Sequence, residues 1–302
     1  MITKQRVLPF FMLCLTTIVI FGATEQHSHE NPNEQVHVIF DVGGVMVQTS
    51  GARKILGLKK FILYALTHNP MTMKKSIKEK LFSFLADIEP RQADEVDARD
   101  EHGTQIPQIL CNWMKGAYTP EQLNQMVDEQ AKKYPQGLEL DIIRDIAHMM
   151  FTPNSMIQTQ QFVPEALEFV RELKDQGYKV YILSNFSPET FRLLESQQPE
   201  FFALFDGIVV SGDIGLIKPD LNIYEYTLTT CNIDRTKACF IDDQPVNIDA
   251  AQKVGITGIL CPITKGYLSN GSPDIEAARK NFYAWREQFS TVRPEGRAMA
   301  WT

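Results

Sequence analysis

Short apolar runs recur along the chain, once near its start and repeatedly in its second half. They cover residues 36–40, 179–183, 207–210 and 238–241, with a possible fifth at 258–261. Helical patterns separate these runs, notably at residues 163–176 and 223–230. Strands that alternate with helices at this spacing form a parallel sheet with helices on both faces. The pattern therefore predicts a doubly wound, Rossmann-like α/β core.

The long stretch between the first and second predicted strands shows helical rather than strand periodicity. Helical patterns cover residues 55–66, 75–85, 106–115 and 138–150. Thr119, Pro120 and Gln122 have the spacing of a capping box that starts another helix. We therefore predict an α-helical cap at residues 49–158, inserted into a core of residues 36–48 and 159–290. The acidic segment 87–101 predicts a solvated loop rather than an interaction site.

The two ends of the chain differ from this core. Lys4 and Arg6 precede an apolar run at residues 7–23, which is the layout of a secretory signal. The run is shorter than the roughly 18 apolar residues of a spanning helix, so a signal peptide is favoured over an uncleaved anchor. Residues 24–35 predict a linker, and residues 291–302 a tail. We expect Ser272 and Pro273 to start a last helix.

The predicted export decides how the composition is interpreted. In an oxidising compartment Cys111, Cys231, Cys239 and Cys261 could form disulfides, although apolar surroundings favour buried free thiols. We expect a periplasmic or secreted protein, or one anchored by its N-terminal segment, and no stable membrane association after cleavage.

The net charge of −7 argues against nucleic acid as a partner. It leaves small molecules or proteins, with the oligomeric state open.

Polar residues follow the predicted strands at four places where parallel strands would bring them to one edge of the sheet. These are Asp41, the pair Ser184 and Asn185, Lys218 before Pro219, and the pair Asp242 and Asp243. A hydroxyl and an amide next to backbone N–H groups can hold phosphate oxygens, and a lysine can neutralise a phosphoryl dianion. Adjacent acids at a strand end indicate either a hard cation such as Mg²⁺ or a solvated loop that opens a helix.

These residues carry a resemblance to a known family. Residues 40–45, 183–185, 218–219 and 241–243 resemble, in order, the four motifs of the haloacid dehalogenase-like (HAD) hydrolase superfamily, across about residues 36–262. The resemblance implies that Asp41 is a nucleophile that forms an aspartyl-phosphate. It implies that Ser184 and Lys218 hold the phosphoryl group of a small phosphorylated substrate.

The resemblance also implies a Mg²⁺ site. Asp243 would be its direct acidic ligand, with Asp242 beside it, and the backbone carbonyl of Gly43 would supply another oxygen next to Asp41. We therefore expect a Mg²⁺-dependent phosphomonoester hydrolase. Trp113, Met114 and Lys115 in the cap are candidates for substrate contact, against the alternative that they pack inside the cap.

One position departs from the family pattern. Most phosphatases of this family carry an acid two residues after the nucleophile, and this chain has Gly43 there. A Glu, Asp or His of the cap could replace it, with His68, His102 and His148 as the histidine candidates. Two alternatives stay open: a 2-haloacid dehalogenase, which needs no acid at this place, and a catalytically weak or inactive binding protein.

Overall fold

The computed structural model describes residues 36–49, 70–92, 95–100, 103–264 and 271–290. The predicted signal, the linker, the tail and the pattern at 55–66 lie outside the described residues, so they stay predictions, as does the export that depends on them. Among the described helices, none combines the length and the apolar composition needed to cross a bilayer.

A parallel sheet forms the centre of the described chain. Its strands are β1 (His37–Phe40), β4 (Lys179–Ser184), β5 (Gly207–Val210), β6 (Ala238–Asp242) and β7 (Thr257–Leu260). They lie in the order β5-β4-β1-β6-β7, with β1 in the middle. Phe40 is in register with Ile182 on one side and with Ile241 on the other. The predicted doubly wound core is confirmed, and the possible fifth strand is one of its members.

Helices cover both faces of this sheet because its side chains are apolar on both. Val38 and Phe40 of β1 face one apolar cluster, and Ile39 faces another. The first face is covered by α6 (Pro164–Asp175), α7 (Pro188–Gln197), the short α8 (Pro199–Phe202) and α12 (Ile275–Ser290). The second is covered by α10 (Leu221–Thr230) and α11 (Pro245–Lys253), while α9 (Ser211–Ile214) directly follows β5. Strands buried on both faces read as near-continuous apolar runs, which is the sequence pattern found here.

A group of helices lies in the chain between β2 (Val47–Thr49) and β3 (Gln160–Phe162), two strands that pair antiparallel. They are α1 (Pro70–Ala86), α2 (Gln108–Met114), α3 (Pro120–Ala131), α4 (Leu138–Phe151) and α5 (Pro153–Gln158). Side chains from α1 to α4 share one apolar cluster, which includes Phe84 and Trp113. The capping box at Thr119 starts α3 as predicted. The described residues all belong to one compact unit, and the predicted boundaries between cap and core stay predictions.

We call α1 to α5 the inserted helices because they lie in the chain between β2 and β3. They contact the helices and loops around the parallel sheet at the end of α2. The Ser211 hydroxyl donates a hydrogen bond of 2.6 Å to the carbonyl of Met114. A Cβ atom on Gly116 would lie 2.5 Å from the Gly212 carbonyl oxygen, so the two backbones approach each other as only glycine permits. Cys111 of α2 packs against Ile217, the residue before Lys218. The end of α2 is thereby tied to loops that also carry predicted site residues.

The last helix begins later than predicted. Ser272 and Pro273 form the short strand β9, which pairs with β8 (Ile263–Thr264), and α12 starts at Ile275. The cap is Asp274, whose side chain accepts a hydrogen bond of 3.0 Å from the Ala277 N–H. An aspartate before a helix satisfies one of its free N–H groups, which explains why the helix starts here.

Candidate active site

The four predicted polar clusters come together at the carboxyl end of the sheet. Asp41 follows β1 directly, Ser184 ends β4 and Asp242 ends β6, so three neighbouring strands deliver one polar side chain each. Lys218 reaches the same place from the loop before α10. Ligands bind beyond the carboxyl ends of strands in sheets of this kind.

Asp41 is 5% exposed and has two unequal carboxylate oxygens. Its Oδ1 accepts hydrogen bonds from the Val42 N–H at 2.7 Å and from the Ser184 hydroxyl at 2.8 Å, and it lies 3.0 Å from the Lys218 ammonium. Its Oδ2 receives no hydrogen bond from the described residues. Burial raises the pKa of Asp41, and Lys218 and Ser184 act in the opposite direction. Oδ2 is therefore the Asp41 oxygen that is left for a ligand.

Lys218 is 1% exposed, and its ammonium group has an acceptor for each of its three protons. Its Nζ lies 2.7 Å from Asp242 Oδ2, 3.0 Å from Asp41 Oδ1 and 3.2 Å from the Leu183 carbonyl. Burial acts to lower the pKa of Lys218, but the two carboxylates outweigh it and hold that pKa above its usual value. The side chain is therefore a buried, fully charged ammonium.

Asp242 is fully buried, and both of its oxygens are occupied. Besides Lys218, it accepts hydrogen bonds from the Gln244 N–H at 2.8 Å and from the Asn247 amide at 3.1 Å to each oxygen. The Asn247 carbonyl in turn accepts from the Tyr224 hydroxyl at 3.0 Å. Asp242 therefore holds Lys218 and the start of α11.

Asp243 differs from its neighbour because its Oδ1 is buried and has no hydrogen-bond partner in the described chain. Burial raises its pKa, and the charges of Asp242 and Asp41 raise it further. Its carboxylate packs against Gly44, where φ is +77° and any Cβ atom would overlap the Asp243 oxygens. Glycine is thus required at position 44 both by the backbone conformation and by the space that the carboxylate occupies.

The acidic cluster fits a hard cation. One oxygen each of Asp41, Asp242 and Asp243 lie within 4.8 Å of one another. Carboxylate oxygens are the ligands that Mg²⁺ prefers, and a buried oxygen without a partner is costly unless a ligand satisfies it. Asp41 and Asp243 have the available oxygens, whereas Asp242 is already occupied. The predicted contribution of the Gly43 carbonyl stays a prediction.

Comparison with known proteins identifies the family of this chain. The sequence profile of haloacid dehalogenase-like hydrolases matches residues 36–255. The chain belongs to the HAD-like hydrolase family. It is similar to a HAD family enzyme of Bacteroides thetaiotaomicron, with a TM-score of 0.51, 20% identity, and coverage of 78% of this chain and 97% of that one. The match shows a shared fold.

Two relatives of known name align with parts of this HAD hydrolase. A sesquiterpene phosphatase of Aspergillus oryzae is 40% identical over 90 residues, which is 30% of this chain and 45% of the relative. An (S)-2-haloacid dehalogenase of Burkholderia cepacia is 26% identical over 96 residues, 32% of this chain and 41% of the relative. The matched region of this chain thus covers less than half the length of each of these relatives.

Asn185 has a structural contact that the sequence did not indicate. Its amide donates to the Lys218 carbonyl at 3.0 Å and accepts from the Lys218 N–H at 2.9 Å. The side chain therefore joins the end of β4 to the backbone of the Lys218 loop. Its predicted contact with substrate, like that of Ser184, stays a prediction.

The three cap candidates have different surroundings. Trp113 packs inside the apolar cluster of the inserted helices, edge-on to Phe151. Met114 packs partly against the same cluster, and Lys115 lies 3.5 Å from Glu95. For Trp113 this environment agrees with the second of the two predicted roles, packing among the helices rather than contact with substrate.

The residues that sequence reasoning missed act through side-chain contacts. Tyr224 shows only an apolar helical position in the sequence, and Ser211 only a polar residue after a strand. Asn247 follows the acidic pair, which is a weak signal of its contact with Asp242. The four cysteines of the described chain are free thiols, and Cys111, Cys239 and Cys261 are buried, in line with the buried-thiol interpretation.

Proposed function

We propose that this HAD hydrolase is a Mg²⁺-dependent phosphatase that acts on a small phosphorylated metabolite through an aspartyl-phosphate on Asp41. The observation that carries the proposal is the unpartnered, buried Oδ1 of Asp243 in a cluster of three carboxylates that includes Asp41. A nucleophile next to a cation site suits an anionic substrate, because the charges of carboxylate and phosphate otherwise repel each other.

Asp41 Oδ2 attacks phosphorus while the three contacts to Oδ1 fix the carboxylate in place. Lys218 and Ser184, which both contact Oδ1 of this carboxylate, would hold the oxygens of the transferring group. A bound Mg²⁺ would neutralise phosphate charge and would be held by Asp41 and Asp243. Water then releases phosphate and restores the carboxylate.

The name of the Aspergillus relative supports the phosphatase over the dehalogenase. So does the acidic cluster, because three carboxylates at one sheet edge disfavour a departing halide anion. Asp243, whose Oδ1 has no partner in the described chain, has no evident role in an attack on carbon.

The full-length protein is assayed with p-nitrophenyl phosphate in Mg²⁺ and in EDTA, alongside Asp41→Asn. Asp175→Asn, at an exposed helix position, makes the same chemical change away from the site. We expect turnover that needs Mg²⁺ and Asp41 and that persists in the control. Chloride release from 2-chloropropionate without metal would support the dehalogenase instead. Mg²⁺ binding by a folded protein without turnover of either substrate would support the inactive binding protein.

A further inference from the structure

The leaving oxygen of a phosphate ester takes up an electron pair when its bond to phosphorus breaks. An alkoxide is nearly as basic as hydroxide, the conjugate base of water with a pKa of about 15.7, so it normally departs with a proton from an acid. A phosphate leaves easily because its second pKa is only about 6. The proton donors around Asp41 therefore decide which leaving groups the site can release, and with them the class of substrate.

Each polar group that contacts Asp41 in the described chain already has its protons engaged. The three ammonium protons of Lys218 point to Asp242, Asp41 and the Leu183 carbonyl. The single hydroxyl proton of Ser184 goes to Asp41 itself. Within the described residues, no side chain in contact with the nucleophile has a free acidic proton.

The turn after Asp41 has room for a donor but lacks one. At Gly43, two residues beyond the nucleophile, an added Cβ would meet no atom within 4 Å, and the backbone does not need glycine. Gly44 is the opposite case, since its Cβ would overlap Asp243. Position 43 thus has room for the start of a side chain, and the sequence has none there.

We propose that this site takes phosphoryl compounds whose leaving oxygen is stable as an anion, foremost the terminal phosphoryl group of a diphosphate, rather than simple alkyl phosphates. The proposal rests on the phosphatase function proposed above. Asp41 Oδ2 forms a bond to phosphorus, and the bond from phosphorus to the leaving oxygen breaks. The electron pair stays on the leaving oxygen, which departs as an anion and equilibrates with solvent. Water then attacks the aspartyl-phosphate, the electron pair of the broken bond returns to Asp41, and a proton of that water goes to solvent.

The test compares 2-phenylethyl diphosphate with 2-phenylethyl phosphate, which carry the same organic group. Inorganic phosphate release gives kcat/KM for each, and kcat/KM is used because kcat also includes hydrolysis of the intermediate. General acid catalysis contributes about 10²–10⁴-fold, so we expect the diphosphate to be preferred by a factor in that range. p-Nitrophenyl phosphate, an aryl ester with a good leaving group, shows whether the site accepts any anion-stable leaving group or anhydrides alone.

Two variants at the open position isolate the proton. Gly43→Asp supplies an acid, and Gly43→Asn has the same shape without one. We expect kcat/KM for the alkyl monophosphate to be about 10²-fold or more higher in the aspartate variant than in the asparagine variant, with a much smaller difference for the diphosphate. Melting temperatures of both variants check that they are folded.

The outcomes separate this inference from the proposed function. A wild-type protein that cleaves the monophosphate as well as the diphosphate contradicts the inference, because an acid must then reach the leaving oxygen from elsewhere. Equal monophosphate activity in the two variants contradicts it as well. A folded wild-type protein that cleaves none of the three compounds refutes the phosphatase function itself, and the inference with it.

Discussion

Replacing Asp243 by asparagine should stabilise the metal-free protein. Its Oδ1 has no hydrogen-bond partner in the described chain, and two further carboxylates lie within 4.8 Å. At that distance each pair of unit charges interacts by about 3 kcal/mol at an effective dielectric constant near 20. Two repulsions from Asp41 and Asp242 outweigh one attraction to Lys218, so an ionised Asp243 opposes folding.

The net gain is smaller than the full Coulomb energy because Asp243 is partly exposed. Once the attraction to Lys218 is subtracted, about one repulsion remains, and partial exposure reduces it, so we expect a gain in unfolding free energy of about 1–3 kcal/mol. In a chain of this length the corresponding rise in melting temperature is about 2–4 °C per kcal/mol.

The assay is thermal unfolding of wild type and Asp243→Asn, in EDTA and in saturating Mg²⁺. Mg²⁺ at 100 times its Kd should stabilise the wild type by about 2.7 kcal/mol and the variant by much less. Asp242→Asn is the matched control with the opposite sign, because it removes one carboxylate partner of the buried Lys218 and should cost about 3 kcal/mol. A variant at position 243 that is no more stable than wild type in EDTA would refute the reasoning.

Three further predictions concern other parts of the fold. Lys218→Met leaves two buried carboxylates without their ammonium, so its urea midpoint should fall by the equivalent of about 3–5 kcal/mol along with the loss of turnover, and an unchanged midpoint would contradict this. Burial lowers the pKa of His37 below its ordinary 6.5, so the unfolded state binds the proton more readily. Stability should therefore be full above pH 6.5 and fall as the pH drops below it, with a smaller fall in His37→Gln measured by urea unfolding at pH 5 and pH 8. Ser211→Ala leaves the Met114 carbonyl without its donor and should cost about 1–3 kcal/mol, seen as a lower melting temperature.

The sheet could be predicted because its signal is local. Strands such as β1 and β6 are continuous apolar runs that end in an acid, and parallel order follows from the helices between them. The predicted site residues could likewise be placed at one sheet edge. The residues alone do not divide the roles of Asp242 and Asp243, which are chemically identical neighbours, and only the family resemblance singled out Asp243 as the direct ligand. Only the fold shows that one is fully occupied by Asn247, Gln244 and Lys218 and that the other is not.

The predicted start of the last helix was wrong because two local signals competed. Ser272 and Pro273 have the composition of a helix start, but Asp274 lies one residue further on and is the better acceptor for the first free N–H groups. Ser272 and Pro273 instead pair with β8, which lies too far back in the chain to be part of a capping pattern. The role of Asn185 depends on Lys218, 33 residues away, and no periodicity reports such a pair.

The contact between Gly116 and Gly212 restricts how this scaffold could be re-engineered. Because the two backbones are in direct contact there, no side chain lies between them whose size could be changed by mutation. A library that diversifies the inserted helices to accept a new substrate should keep both glycines fixed and vary the exposed positions around them. A bulkier residue at Gly116 would overlap the Gly212 carbonyl and push the end of α2 away from α9, whereas one at Gly212 would overlap Pro188 and the Phe186 carbonyl beside Asn185. Either change would alter the scaffold together with the diversified positions.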